Sequence, residues 1–187
     1  MLASLLLVLW TMHGALASPA IDSGDRVLVV GDGFAAELGA RGILESIVGD
    51  EVSFRHLGAT GTEAISLPGP DDIDGTPPDV VVVCVGMVDA IRGDSHLPMF
   101  RRAIGEFIDS WSGCRIILVS PIPTEPSGSD ASRTHSMSVS CFAHAIHAEA
   151  GRSGSRSVDL HGPLTIVMRN GSVATTYDGM HLSNTAW

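Results

Sequence analysis

The segment Val80 to Val85 reads VVVVCV, six apolar residues with four β-branched valines in succession. Such a run is too short for a buried helix and too apolar for a surface element, so it predicts a strand covered on both faces. Covering both faces takes helices on both sides, which already points to a parallel sheet between two helical layers. The flanking segments agree. Arg26 to Val30 (RVLVV) is a second β-rich run, stopped by Gly31-Asp32-Gly33, and Ile116 to Val119 (IILV) is a third. Val52 and Phe54 alternate with Ser53 and Arg55, predicting a strand with one better buried face, and Ser157 to Leu160 predicts a short one. Between these runs apolar residues recur at helical spacing: Ala36, Ala40, Leu44 and Ile47 up to Gly49-Asp50; Phe100, Ala103, Ile104, Phe107, Ile108 and Trp111 after Pro98; and Met137, Cys141, Phe142, Ala145 and Ile146. Leu67 to Pro78 and Pro121 to Ser132 read as loops, and Asn170-Gly171 between Ile166-Val167-Met168 and Val173-Ala174 predicts a hairpin. The alternation predicts an α/β protein, a three-layer α/β/α sandwich with a mostly parallel, flavodoxin-like central sheet.

Charge narrows the partners. The 187 residues hold 21 acidic and 11 basic side chains, all of the latter Arg, for a formal charge of −10. No basic stripe is available to neutralise phosphates, which argues against a nucleic-acid partner. Residues 2 to 10 form an apolar run followed by Ala15-Leu16-Ala17, the pattern of an export signal with a small-residue cleavage site, although no positive charge precedes the run. The expectation is a signal peptide over 1–17, one domain over 18–187, a secreted or periplasmic location, and no stable membrane span after cleavage, the run being short for one. Ser183 to Trp187 reads as the opening of a last helix left incomplete, so a C-terminal truncation belongs to this expectation. The three cysteines suggest no disulfide framework or metal set, and Cys84 and Cys141 read as small core residues. His144 and His147, three apart on a helix, read as a solvated face rather than a metal pair.

Parallel sheets bind ligands beyond the C-terminal ends of their strands. That places the chemistry in Gly31–Phe34, Leu57–Glu63, Gly86–Arg92 and Ser120–Pro123, joined by Tyr177–Leu182. One reading of the first turn is a dinucleotide fingerprint, Gly31-x-Gly33-x-x-Ala36. Against it stand Asp32, whose charge repels a pyrophosphate, and Arg55-His56-Leu57, which offers no carboxylate to a ribose.

The other reading uses four segments at once. Gly31-Asp32-Gly33 after a strand, His56-Leu57-Gly58-Ala59-Thr60-Gly61, Gly86-Met87-Val88-Asp89 and Asp178-Gly179-Met180-His181 resemble, in order and spacing, the first, second, third and fifth blocks of the SGNH (GDSL-type) hydrolases. The resemblance implies an ester hydrolase needing no metal or organic cofactor. A Ser attacks the ester, a His takes its proton, an Asp orients the His, and backbone N–H groups with an Asn amide hold the oxyanion. Carried over by position, Asp178 and His181 are the Asp and His, Gly61 an N–H donor, and Asp89 a structural tie. The nucleophile position is Gly33 and the oxyanion Asn position is Val88, so both side chains are missing. The expected function is therefore an exported esterase homologue with a degenerate site, inactive or weakly active, holding an acyl ester or acetylated glycan. Its alternatives are an esterase using a water activated by His181, an active enzyme altered at these two positions, and the dinucleotide binder. Thr60 and Thr62 flank Gly61 within reach of the pocket and read first as loop residues; Gly93-Asp94-Ser95 follows no strand and reads as a coincidence of letters.

Overall fold

The computed structural model describes residues 20–124 and 130–170. The expected export signal, the Asn170-Gly171 turn's second arm, Asp178 and His181 lie outside them. Five strands, β1 (Arg26–Gly31), β2 (Ser53–Gly58), β3 (Val80–Cys84), β4 (Arg115–Val119) and β5 (Arg156–Val158), form one sheet in the order β2-β1-β3-β4-β5. Every pair is parallel. The helices are α1 (Gly33–Ala40), α2 (Ile43–Val48), α3 (Met87–Ile91), α4 (Leu97–Ser110), α5 (Asp130–Ser153) and α6 (His161–Arg169). The predicted α/β architecture with a parallel central sheet is the one observed.

The valine run sits on β3, at the middle of the sheet, and all five strand residues are buried. Side chains alternate across the two faces. Val81 and Val83 join Leu28, Val30, Ile116 and Leu118 under α4 and α5, where Phe100 meets Phe142 edge-to-face at 4.9 Å. Val80, Val82 and Cys84 join Val27, Val29, Ile117 and Val119 under α1 and α6, closed by Ala35, Leu38 and Leu164. The chain reverses its direction of winding between β1 and β3, and in sheets of this kind ligands bind at such a reversal, in the crevice beyond the strands' C-terminal ends.

Three expectations need correction. The helix expected over Ala36 to Ile47 is broken at Gly42, whose φ of +57° turns the chain into α2. Ile166 to Met168 are not a hairpin arm but the last turn of α6: Leu164 plugs the core while Ile166 faces solvent, a helical pattern in a β-prone stretch. Cys141 is exposed, with Met137 one turn before it, because α5 buries Val139, Phe142, Ala145 and Ile146 on the other side.

Candidate functional site

The first turn is built by steric necessity. Gly31 ends β1 with φ +144°, and a Cβ there would stand 1.9 Å from the Cys84 carbonyl oxygen. This close approach lets the Asp32 N–H donate to that oxygen at 2.9 Å, stitching the ends of β1 and β3. Asp32 is buried and caps α1: its carboxylate accepts the Phe34 N–H at 3.0 Å and its carbonyl the Ala36 N–H at 3.1 Å. The dinucleotide reading fails here, since the helix N-terminus that would hold a pyrophosphate already holds a carboxylate.

Gly33 is the first residue of α1, so its N–H lies outside the helical ladder, and no other backbone acceptor among the described residues takes it. Its φ is ordinary. A Cβ at Gly33 would meet nothing closer than the Thr60 Oγ1, at 3.6 Å.

The second segment approaches α1 through Gly58, where a Cβ would stand 2.3 Å from the Ala36 nitrogen. The Ala59 N–H then donates to the Gly31 carbonyl at 3.0 Å, and Ala59 opens a turn closed by the Thr62 N–H at 3.2 Å and by the Thr62 hydroxyl at 2.8 Å, both on the Ala59 carbonyl. Gly61, at the third position of this turn, has φ +87°, and its N–H is likewise untaken among the described residues. His56 stays behind the turn, 2.8 Å from Glu45 of α2.

The third segment starts at Gly86, φ +114°, and forms the short helix α3. Val88 is half-buried on it and brings no polar atom. Asp89 is buried, and both its oxygens accept the Ala64 N–H at 3.2 Å, tying α3 to the chain just after Gly61. His96 Nε2 stands 3.7 Å from Asp89 and 3.8 Å from Glu63, while Arg92 holds the other Glu63 oxygen at 2.6 Å. Among the described residues these three, Glu63, Asp89 and His96, are the ones grouped closely enough to share a metal ion.

Burial raises the Asp89 carboxyl above its usual 3.8, opposed by the Ala64 N–H and by His96. A raised folded-state value favours the neutral form, so the contribution of Asp89 to stability is full below 3.8 and is lost as pH rises through the folded-state pKa. Asp89→Asn removes that loss. The melting temperature of the variant minus that of the parent is expected to climb between about pH 3 and about pH 6. A difference that falls over this range would show that the Ala64 and His96 contacts outweigh burial.

Two features escaped sequence reasoning. His96 and Glu63 are drawn to Asp89 by tertiary packing alone. His135 of α5 bonds the Ala90 carbonyl of α3, and its Nε2 is buried without a partner; burial lowers its pKa. Ser95 sits in the single turn Asp94–His96. His144 is exposed, and His147 reaches Ser157 at 2.9 Å. The Cys84 thiol is buried and its pKa is driven far up by desolvation, so it stays protonated. A cavity of about 240 Å³ lies toward the opposite ends of the strands, lined by Arg26, Ser53, Arg55, Ile73, Asp74 and Pro78, and touches none of these segments.

The crevice thus presents two backbone N–H donors, Gly33 and Gly61, one hydroxyl, Thr60, and no side-chain nucleophile at the helix start. The family model for GDSL-like lipases and acylhydrolases matches residues 14–186. An α/β hydrolase enzyme, LAE5, from the metagenome of Lake Arreo, Spain, superposes with a TM-score of 0.69 at 16% identity, covering 89% of this chain and 91% of its own. The acetylxylan esterase Axe2 from Geobacillus stearothermophilus gives 0.68 at 17% identity over 89% and 90%. The acetyl xylan esterase AlAXEase gives 0.63 at 17% over 86% and 93%. No curated protein sequence matches the chain.

Proposed function

The chain belongs to the GDSL-like lipase/acylhydrolase family, and from that premise we propose that it is an exported esterase homologue that holds an acetylated glycan in its crevice and hydrolyses the ester only slowly. The observation that carries this reading is Gly33. It occupies the first turn of α1, where the family's nucleophile stands, yet has no side chain, while Val88 replaces the amide of the third block. The Gly33 and Gly61 N–H groups remain available to an ester carbonyl oxygen. Asp178 and His181 supply orientation and a base by their place in the fifth motif. The glycan class draws on the two acetylxylan esterases of similar fold, and export on the apolar run over residues 2–10 before Ala15-Leu16-Ala17.

The test is calorimetric binding of an acetylated xylo-oligosaccharide and of its deacetylated counterpart, with release of acetate followed in parallel. The acetylated sugar is expected to bind and its partner to bind at least about tenfold more weakly, a difference of ~1.4 kcal/mol. Acetate release is expected slightly above the buffer rate and is abolished in His181→Ala. Turnover near the ~10 s⁻¹ of ordinary enzymes would overturn the degenerate site, and equal binding of the two sugars would overturn the ligand class.

A further inference from the structure

We propose that Thr60 supplies the oxygen nucleophile that Gly33 does not, which makes it a catalytic residue of the slow hydrolysis; this inference rests on the ester reading of the crevice given above. Thr60 Oγ1 is 3.6 Å from the point where a Cβ on Gly33 would stand, so its hydroxyl borders the position from which a side chain at the start of α1 would attack. Among the described residues that hydroxyl makes no hydrogen bond, and it is exposed to an incoming ester. The neighbouring Thr62 hydroxyl is different: it is held by the Ala59 carbonyl at 2.8 Å and is not free to react.

Local geometry favours the role in three ways. The turn from Ala59 to Thr62 is fixed at its base by the Ala59 N–H on the Gly31 carbonyl and by the Thr62 N–H on the Ala59 carbonyl, so Thr60 rides on a closed corner rather than a loose loop. Its β-branched side chain has few rotamers to lose. The residue after it is Gly61, whose N–H is untaken, and the N–H following a nucleophile is a common oxyanion donor.

In the step itself the Thr60 oxygen bonds to the acyl carbon as its proton passes to the imidazole base that the ester reading above supplies. The bond from that carbon to the alcohol oxygen breaks, and the alcohol leaves with the proton. Water then attacks the acyl-threonine, releasing the carboxylic acid and restoring the hydroxyl.

The experiment uses the whole chain and an aryl acetate, quenched in acid during turnover, with peptide mapping by mass spectrometry. An acetyl group is expected on the peptide carrying Thr60. Thr60→Val is expected to lose the adduct and about tenfold or more of the hydrolysis rate, whereas Thr60→Ser keeps both and controls for folding. Hydrolysis at the parental rate in Thr60→Val, or an adduct mapped elsewhere, overturns the assignment. If the parent binds acetylated xylo-oligosaccharide but forms no adduct, Thr60 falls and the binding function stands. If it neither binds nor hydrolyses, the ester reading itself falls and takes Thr60 with it.

Discussion

The pair Gly33→Ser and Val88→Asn, made together, is expected to raise acyl ester hydrolysis by at least about 10³-fold over the parent. One oxyanion donor is worth ~10²–10³ in rate, and a nucleophile with a neighbouring base opens a covalent route that water lacks. The fold admits both changes. At Gly33 the φ is ordinary and the nearest contact for a new Cβ is at 3.6 Å, a normal van der Waals distance to a hydroxyl that can itself hydrogen-bond a serine. Val88 is half-buried and lies outside both hydrophobic clusters, so exchange for Asn takes no side chain out of the core. The Gly33 and Gly61 N–H groups are already free to complete the hole. The gain is read as kcat/KM for an aryl acetate, with labelling by a fluorophosphonate mapped to position 33. The double change should exceed the product of the two single gains, because the Asn amide acts on an oxyanion that forms efficiently only once a nucleophile is present. No gain, with the protein folded, would mean that the crevice no longer aligns an ester with the start of α1.

Much of the architecture was readable from residues whose burial leaves them little choice. VVVVCV has one comfortable home, the middle of a parallel sheet, and the glycine turns after β1, β2 and β3 mark the places where strands hand over to helices. Errors arose where local preference and tertiary packing part. Ile166-Val167-Met168 favours a strand, but Leu164 reaches the core only if the segment is helical. Met137 and Cys141 share a helical stripe, yet α5 turns its other face inward, toward Phe100 and Leu118. The site divides in the same way. Gly33, Gly61, Val88 and Asp89 could be found because they ride on strand ends, and strand ends can be read. Glu63 and His96 could not, since their meeting with Asp89 depends on how α3 and the following turn fold back over the chain after Gly61. Thr60 was visible only as a residue flanking Gly61; its closeness to Gly33 follows from Gly58, where a Cβ would stand 2.3 Å from the Ala36 nitrogen, so that only a glycine lets β2 press this closely on α1.

Gly31→Ala is expected to cost about 4 kcal/mol or more, in the extreme tail of single substitutions and close to the whole stability of many domains. The new Cβ would lie 1.9 Å from the Cys84 carbonyl oxygen and 2.7 Å from its carbon, and φ is +144°, where L-residues are strained. The obstructing atoms are backbone of the central strand, so no side chain can swing aside. Relief requires β1 to part from β3 at Gly31 and Cys84, which breaks the Asp32 N–H bond to Cys84 and drags away the carboxylate that caps α1. Gly33→Ala, two residues on, should do the opposite. Its Cβ meets only the Thr60 Oγ1, at the ordinary van der Waals distance of 3.6 Å, and the stiffer unfolded chain stabilises the fold by about 0.4–1 kcal/mol. Urea midpoints of the two variants, compared with the parent at equal m-values, measure both effects. Retention of parental stability by Gly31→Ala would contradict the close approach of β1 and β3. A large loss in Gly33→Ala would mean that packing demands glycine there. With the signs as expected, Gly31 is glycine because the fold allows nothing else, whereas Gly33 is glycine where the fold has room for a nucleophile, so its identity bears on chemistry and not on folding.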